Sequence, residues 1–159
     1  MSLVLGVLVL AAAIAGGNPI TGDFRLVSRQ SNGALMVDVN SVSKGPNGDM
    51  QARTAGILIV HWGAGAAAER EPETVAFVAD LFVNCATEQV RTGDATVLDK
   101  DMNVMWEQPG DGLAYPVGNE ADQDMVDFIC GTEADRRSDG RTAYPDVRSA
   151  FISIAPSLT

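Results

Sequence analysis

Residues 75–85, VAFVADLFVNC, alternate without interruption: Val75, Phe77, Ala79, Leu81, Val83 and Cys85 fall on one face, with Asp80 and Asn84 on the other. Period two is the geometry of a strand whose successive side chains point to opposite sides of a sheet. A chain built on such a strand must supply partners for both of its edges and a layer to cover its apolar face. That layer is expected on the Cys85 side, which places Cys85 toward the core. The opposite face, with Asp80 and Asn84, is the expected interaction face.

The same period recurs elsewhere. Residues 24–29 and 35–39 read as strands joined across Gln30-Ser31-Asn32-Gly33, where Asn-Gly is expected to supply the positive φ of a tight hairpin. Lys44-Gly45-Pro46-Asn47-Gly48 is a turn cluster, and residues 51–60 form a third strand, β-branched toward its end. Residues 63–73, small and then acidic, read as a flexible connection. Residues 88–91, 95–99 and 104–107 continue the meander, giving about six antiparallel strands.

One helix stands out over residues 120–130. Asn119 is a good N-cap, Glu120 and Asp122 sit where the helix dipole favours carboxylates, and Gly131 takes the position just past the end. Ala121, Met125, Phe128 and Ile129 make its apolar stripe, opposite Asp124 and Asp127. The charged residues 132–141 read as solvated, and residues 144–154 as either a short helix begun by Pro145 or a last strand. The expected class is therefore α+β: a sheet of about six strands with one helix packed on one face.

The chain of 159 residues, 46% hydrophobic and 20% charged, has material for one domain with one core. Residues 1–22 carry no ionisable side chain, and residues 3–15 are an apolar run ending in small residues. That is the pattern of a secretory signal over residues 1–17, with an uncleaved anchor or a buried N-terminal helix as alternatives. Gly16, Gly17, Asn18 and Pro19 stop the run short of the roughly 20 apolar residues that span a bilayer. Membrane contact is thus expected only through an uncleaved leader.

Cys85 and Cys130 are the only cysteines. In an exported chain an even pair reads as a disulfide, with two free buried thiols as the cytosolic alternative. The bridge would close a loop of about 46 residues, stabilising the fold by about 4 kcal/mol, and pin the helix end to the strongest strand.

Candidate chemistry is sparse. Asp99-Lys100-Asp101-Met102-Asn103 opens like a calcium loop, but Val104 stands where glycine is needed and Gly110 where a bidentate glutamate is needed. His61 is a single histidine at a strand end. No nucleophile motif, metal-ligand spacing or phosphate loop is present, so no catalytic, cofactor or metal residue is assigned. A formal charge of -10 offers no basic footprint for nucleic acid.

Taken in order, VSRQSNGALMVDVNSV, the strand ending Asn84-Cys85, TVLDKDMNVMW, the connection WEQPGDGLAYPVGNE and the helix ending VDFIC resemble the surface-adhesin protein E-like domain of proteobacterial exported proteins. The resemblance covers residues 23–131, leaving 132–159 as a C-terminal extension. It implies a helix tethered to an antiparallel sheet and, for the best-known member, binding of extracellular-matrix and serum proteins.

The expected function is an exported, non-enzymatic interaction module of the bacterial envelope, periplasmic or on the outer surface. It needs no cofactor and takes a protein partner, with sheet edges offering a route to a homodimer. The alternatives are a small periplasmic hydrolase or inhibitor using acidic residues, and an envelope structural protein.

Overall fold

The structure, a computed structural model, describes residues 20–61 and 71–159. The expected leader, Trp62 and most of the small and acidic connection lie outside them. Among the described residues no helix is long and apolar enough to cross a membrane.

The strands are β1 (Thr21–Gln30), β2 (Gly33–Asp38), β3 (Ser43–Lys44), β4 (Met50–Val60), β5 (Glu73–Asn84), β6 (Gln89–Leu98), β7 (Val104–Gln108), β8 (Tyr115–Pro116) and β9 (Ala143–Asp146). They form one antiparallel sheet ordered β7-β6-β5-β4-β2-β1-β9, with β3 beside β4 and β8 beside β6. Nine strands replace the six expected. The two-residue strands β3 and β8 are too short to show a period. The expected segments 88–91 and 95–99 are one strand, because the Gly93-Asp94 break is a bulge opposite Asp80 rather than a turn.

The helices are α1 (Glu120–Cys130), α2 (Glu133–Ser138) and α3 (Val147–Ile154). Met125, Val126, Phe128 and Ile129 of α1 pack on Val27, Val37, Val39, Ala52, Leu81 and Val83. On the other face, Val147, Ala150, Phe151 and Ile154 of α3 cover Phe24, Met36, Ala55, Ile57, Ala76 and Leu98. The expectation of one helix on one face is therefore corrected to two helices on two faces. Residues on β2 and β4 that alternate in sequence are apolar on both sides, and each side needs its own cover.

Residues 132–159 are part of this fold. Ala143–Asp146 pairs with β1, and Asp146, not Pro145, caps α3 by accepting the Ser149 N–H at 2.6 Å. The segment is thus a strand followed by a helix. The charged stretch read as solvated forms α2, and its Arg136 is buried at 7% exposure. The Arg136 guanidinium donates to the carbonyls of Ile129 and Gly131, satisfying acceptors that the end of α1 leaves open. Gly131 consequently has no need of the left-handed cap and is extended, at φ -64°.

The β1–β2 turn also departs from expectation. Gln30 pairs with Gly33 across Ser31-Asn32, and neither Asn32 nor Gly33 has positive φ. Gly33 lies instead against β4, where a Cβ would sit 2.6 Å from Leu58 Cδ2 and push the end of that side chain aside. The Gly45–Gly48 turn forms as expected, with Gly48 at φ +86°.

Cys85 and Cys130 form a disulfide, Cα atoms 5.8 Å apart. It joins the turn after β5 to the last turn of α1. Cys85 lies on the α1 side as its alternation predicts, yet it is exposed rather than in the core, because β5 has already ended at Asn84. Disulfides persist in oxidising compartments, so the bond points to an exported environment.

Asp38 organises the far end of β2. It is 1% exposed and accepts the Asp23 N–H at 2.9 Å, the Asn40 N–H at 3.2 Å and the Arg53 guanidinium.

Three substitutions test these contacts and one exposed ion pair. Cys85→Ser should lose about 4 kcal/mol in urea unfolding under oxidising conditions, and an unchanged midpoint would show that the bridge does not constrain the chain. Asp38→Ala should cost about 3 kcal/mol, since it leaves two N–H groups without their acceptor and removes the carboxylate partner of Arg53. Lys100→Ala, at an exposed ion pair, should leave the midpoint unchanged in the same assay.

Candidate functional site

Helix α1 covers only part of its face of the sheet. Its first turn stands over the sheet between two hollows that share Leu35 and Asp122. The first hollow, about 400 Å³, lies between the β1–β2 hairpin (Ser28, Gln30, Gly33) and Asn119, Ala121 and Asp122. The second, about 350 Å³, has a floor of Leu35, Thr54, Phe77, Ala79 and Leu81 and walls formed by Val90, Thr92, Tyr115, Pro116 and Met125.

The strand period makes this floor apolar. Phe77, Ala79 and Leu81 are the odd positions of β5, and Gly56 opposite Phe77 leaves room for its ring. A Cβ at Gly56 would fall 2.0 Å from Phe77 Cε1, so no other residue fits there without moving the ring. Thr54 is buried in the floor and satisfied, donating its hydroxyl to the Ala79 carbonyl at 3.0 Å.

The outer wall is set by polar contacts. Tyr115 pairs with Val90, and its phenol donates to Asp111 Oδ2 at 2.5 Å. The Val117 N–H donates to the Glu88 carbonyl at 3.3 Å. Asn119 caps α1 by accepting the Asp122 N–H at 3.0 Å, while its amide donates to Asp122 Oδ2 at 2.8 Å. The phenol's hydrogen bond is the chief reason that the Asp111 carboxyl lies below its ordinary range, and the same bond raises the Tyr115 hydroxyl above its own.

Asp122 is the single carboxylate among the described residues lining the two hollows, and no basic side chain lines them. The nearby arginines turn away. Arg91 stacks on Phe82 at 3.9 Å, on the α3 side of β5, and Arg29 donates to Ser157 beyond α3.

The residues singled out in the sequence lie elsewhere. Asp80 is exposed on the α3 side of β5, beyond the area that α3 covers. Asn84 is half-buried, and its carbonyl oxygen accepts the N–H groups of Ala86 and Thr87, both at 3.1 Å, closing the turn. Asp80 and Asn84 are thus apart from the groove.

Asp99 organises its own turn, accepting the N–H groups of Asp101 and Asn103 and the Asn103 amide. Burial pushes its carboxyl up, but these hydrogen bonds outweigh it and hold the group below its usual range. Among the described residues no set of three or more His, Cys, Asp or Glu is placed to hold a metal. His61 is exposed just past β4.

Sequence reasoning missed the groove because Phe77 and Leu81 carry the same apolar signal whether a helix covers them or not. Gly56 inside an apolar strand was the available clue to close packing at that point. Comparison with known proteins finds no matching family model, no matching curated protein and no matching solved structure.

The Asp111–Tyr115 link should be intact at neutral pH. Asp111, lowered, contributes above the ordinary carboxylate range and loses this as pH falls through its folded value. Tyr115, raised, contributes below about pH 10 and loses this as pH rises through its folded value. In a Tyr144→Phe background the tyrosinate absorbance of Tyr115 should therefore titrate above the ordinary phenol range. Asp111→Ala should bring the midpoint back toward it, and an indifferent midpoint would contradict the link.

Proposed function

We propose that this chain is an exported, non-enzymatic protein-binding module of the bacterial envelope, periplasmic or surface-exposed, whose binding face is the groove beside the first turn of α1. The carrying observation is the groove's lining: apolar side chains from β2, β5, β6 and α1, rimmed by Tyr115 and Asp122. An apolar floor with a few polar groups at its rim suits capture of another molecule. Acid/base hydrolysis needs two carboxylates in unlike environments, and the lining offers one. The motif order that resembles surface-adhesin protein E supports the same reading, as does the disulfide.

A homodimer is the second reading, favoured by one feature. β7 ends the sheet, with Val104 58% exposed and Trp106 38% exposed, and an edge strand is a template for pairing.

Photo-crosslinking in cells tests both. A photoreactive residue replacing Tyr115 should yield an adduct with another protein, while one replacing Ile152, exposed on α3, should not. An adduct from Val104 with the mass of two chains would support the dimer. Adducts from Ile152 but none from Tyr115 would overturn the groove as the binding face.

A further inference from the structure

The electrostatics of the groove identify its occupant more narrowly. The apolar floor is bordered on one side by Asp122, on the first turn of α1, and on the other by Tyr115, whose phenol is held by Asp111 in the adjoining hollow beyond it. Glu120 stands in the same helical turn as Asp122, adding a second negative charge at that end. Among the described residues the lining contains no basic group that could neutralise these charges. Arg29 and Arg91, the nearest candidates on β1 and β6, are engaged on the α3 side with Ser157 and Phe82. An apolar partner alone would leave this acidic rim unused, and an acidic one would be repelled.

We infer that the groove binds a cationic, amphipathic peptide segment of a protein partner. Its apolar side chains lie against Leu35, Phe77 and Leu81, and its lysine or arginine side chains lie beside Asp122 and, past Tyr115, reach Asp111. This inference rests on the groove being the binding face. The two hollows meeting at Leu35 and Asp122 give the segment a place for side chains on each side of the helix turn.

Fluorescence polarisation with the oxidised full chain provides the test. The probes are a short labelled peptide of alternating leucine and lysine, its leucine–glutamate counterpart, and a lysine–serine peptide of equal charge. The leucine–lysine peptide should bind, and the other two should bind at least about tenfold more weakly. Asp122→Asn should weaken binding about fivefold, the scale of one exposed ion pair. Thr92→Arg, at an exposed position on the groove wall, should weaken it further without disturbing the core. Glu133→Gln, which removes the same charge from α2, should leave binding unchanged.

Equal binding of the lysine–serine peptide, or equal weakening by Glu133→Gln, would mean attraction by net charge alone and would overturn the inference. Tighter binding of the leucine–glutamate peptide would do the same. A Tyr115 adduct in cells, combined with no selectivity for the leucine–lysine peptide, would leave the binding face standing and overturn only the cationic occupant. Absence of both would remove the two together.

Discussion

The central pair β4–β5 is apolar on both faces, and this constraint shapes the rest of the molecule. The two strands run in register from Met50–Val83 to Val60–Glu73. Ala52 and Leu81 look one way, Ala55 and Ile57 the other. A strand pair of that kind exposed on either side would leave its apolar surface in water, so a second layer is needed on each face. Helix α1 supplies one and α3 the other. Because both helices come after every strand but β9, the sheet must be covered by chain that returns across it. The disulfide at the end of α1 and the pairing of β9 with β1 hold that returning chain in place.

Specific polar contacts hold the ends of these elements. Asp38 gathers two backbone N–H groups and the Arg53 guanidinium where β2 ends, and Arg136 reaches back to the carbonyls at the end of α1. Buried polar groups without such partners are costly, so these contacts decide where elements stop as firmly as the apolar pattern decides where they run. The groove is what remains when α1, only eleven residues long, covers a face wider than itself. Its floor stays apolar because the strand alternation continues past the helix, and its one lining carboxylate, Asp122, stands there because the first turn of α1 favours acidic residues.

The elements with a strong local signal were legible from sequence: β5 through its unbroken alternation, α1 through Asn119, Glu120 and Asp122, and the Cys85–Cys130 pairing through cysteine count and placement. Others were not. Residues 132–138 look solvated because five of the six residues in the run EADRRS are polar, and only the proximity of the end of α1 gives Arg136 a reason to be buried. Residues 143–154 carry a strand and a helix back to back, each too short for its period to prevail over the other.

The sequence by itself determined the alternation that makes a sheet, the capped helix that must lie on it and the cysteines able to join them, because each depends on neighbours a few positions apart. Tertiary structure alone decided that the sheet is covered on both faces, that Asn84 is spent on a turn, and that Phe77, Tyr115 and Asp122 line one groove. Those outcomes depend on which surface the returning chain covers and which it leaves open, a competition between segments far apart in the chain that no local pattern encodes.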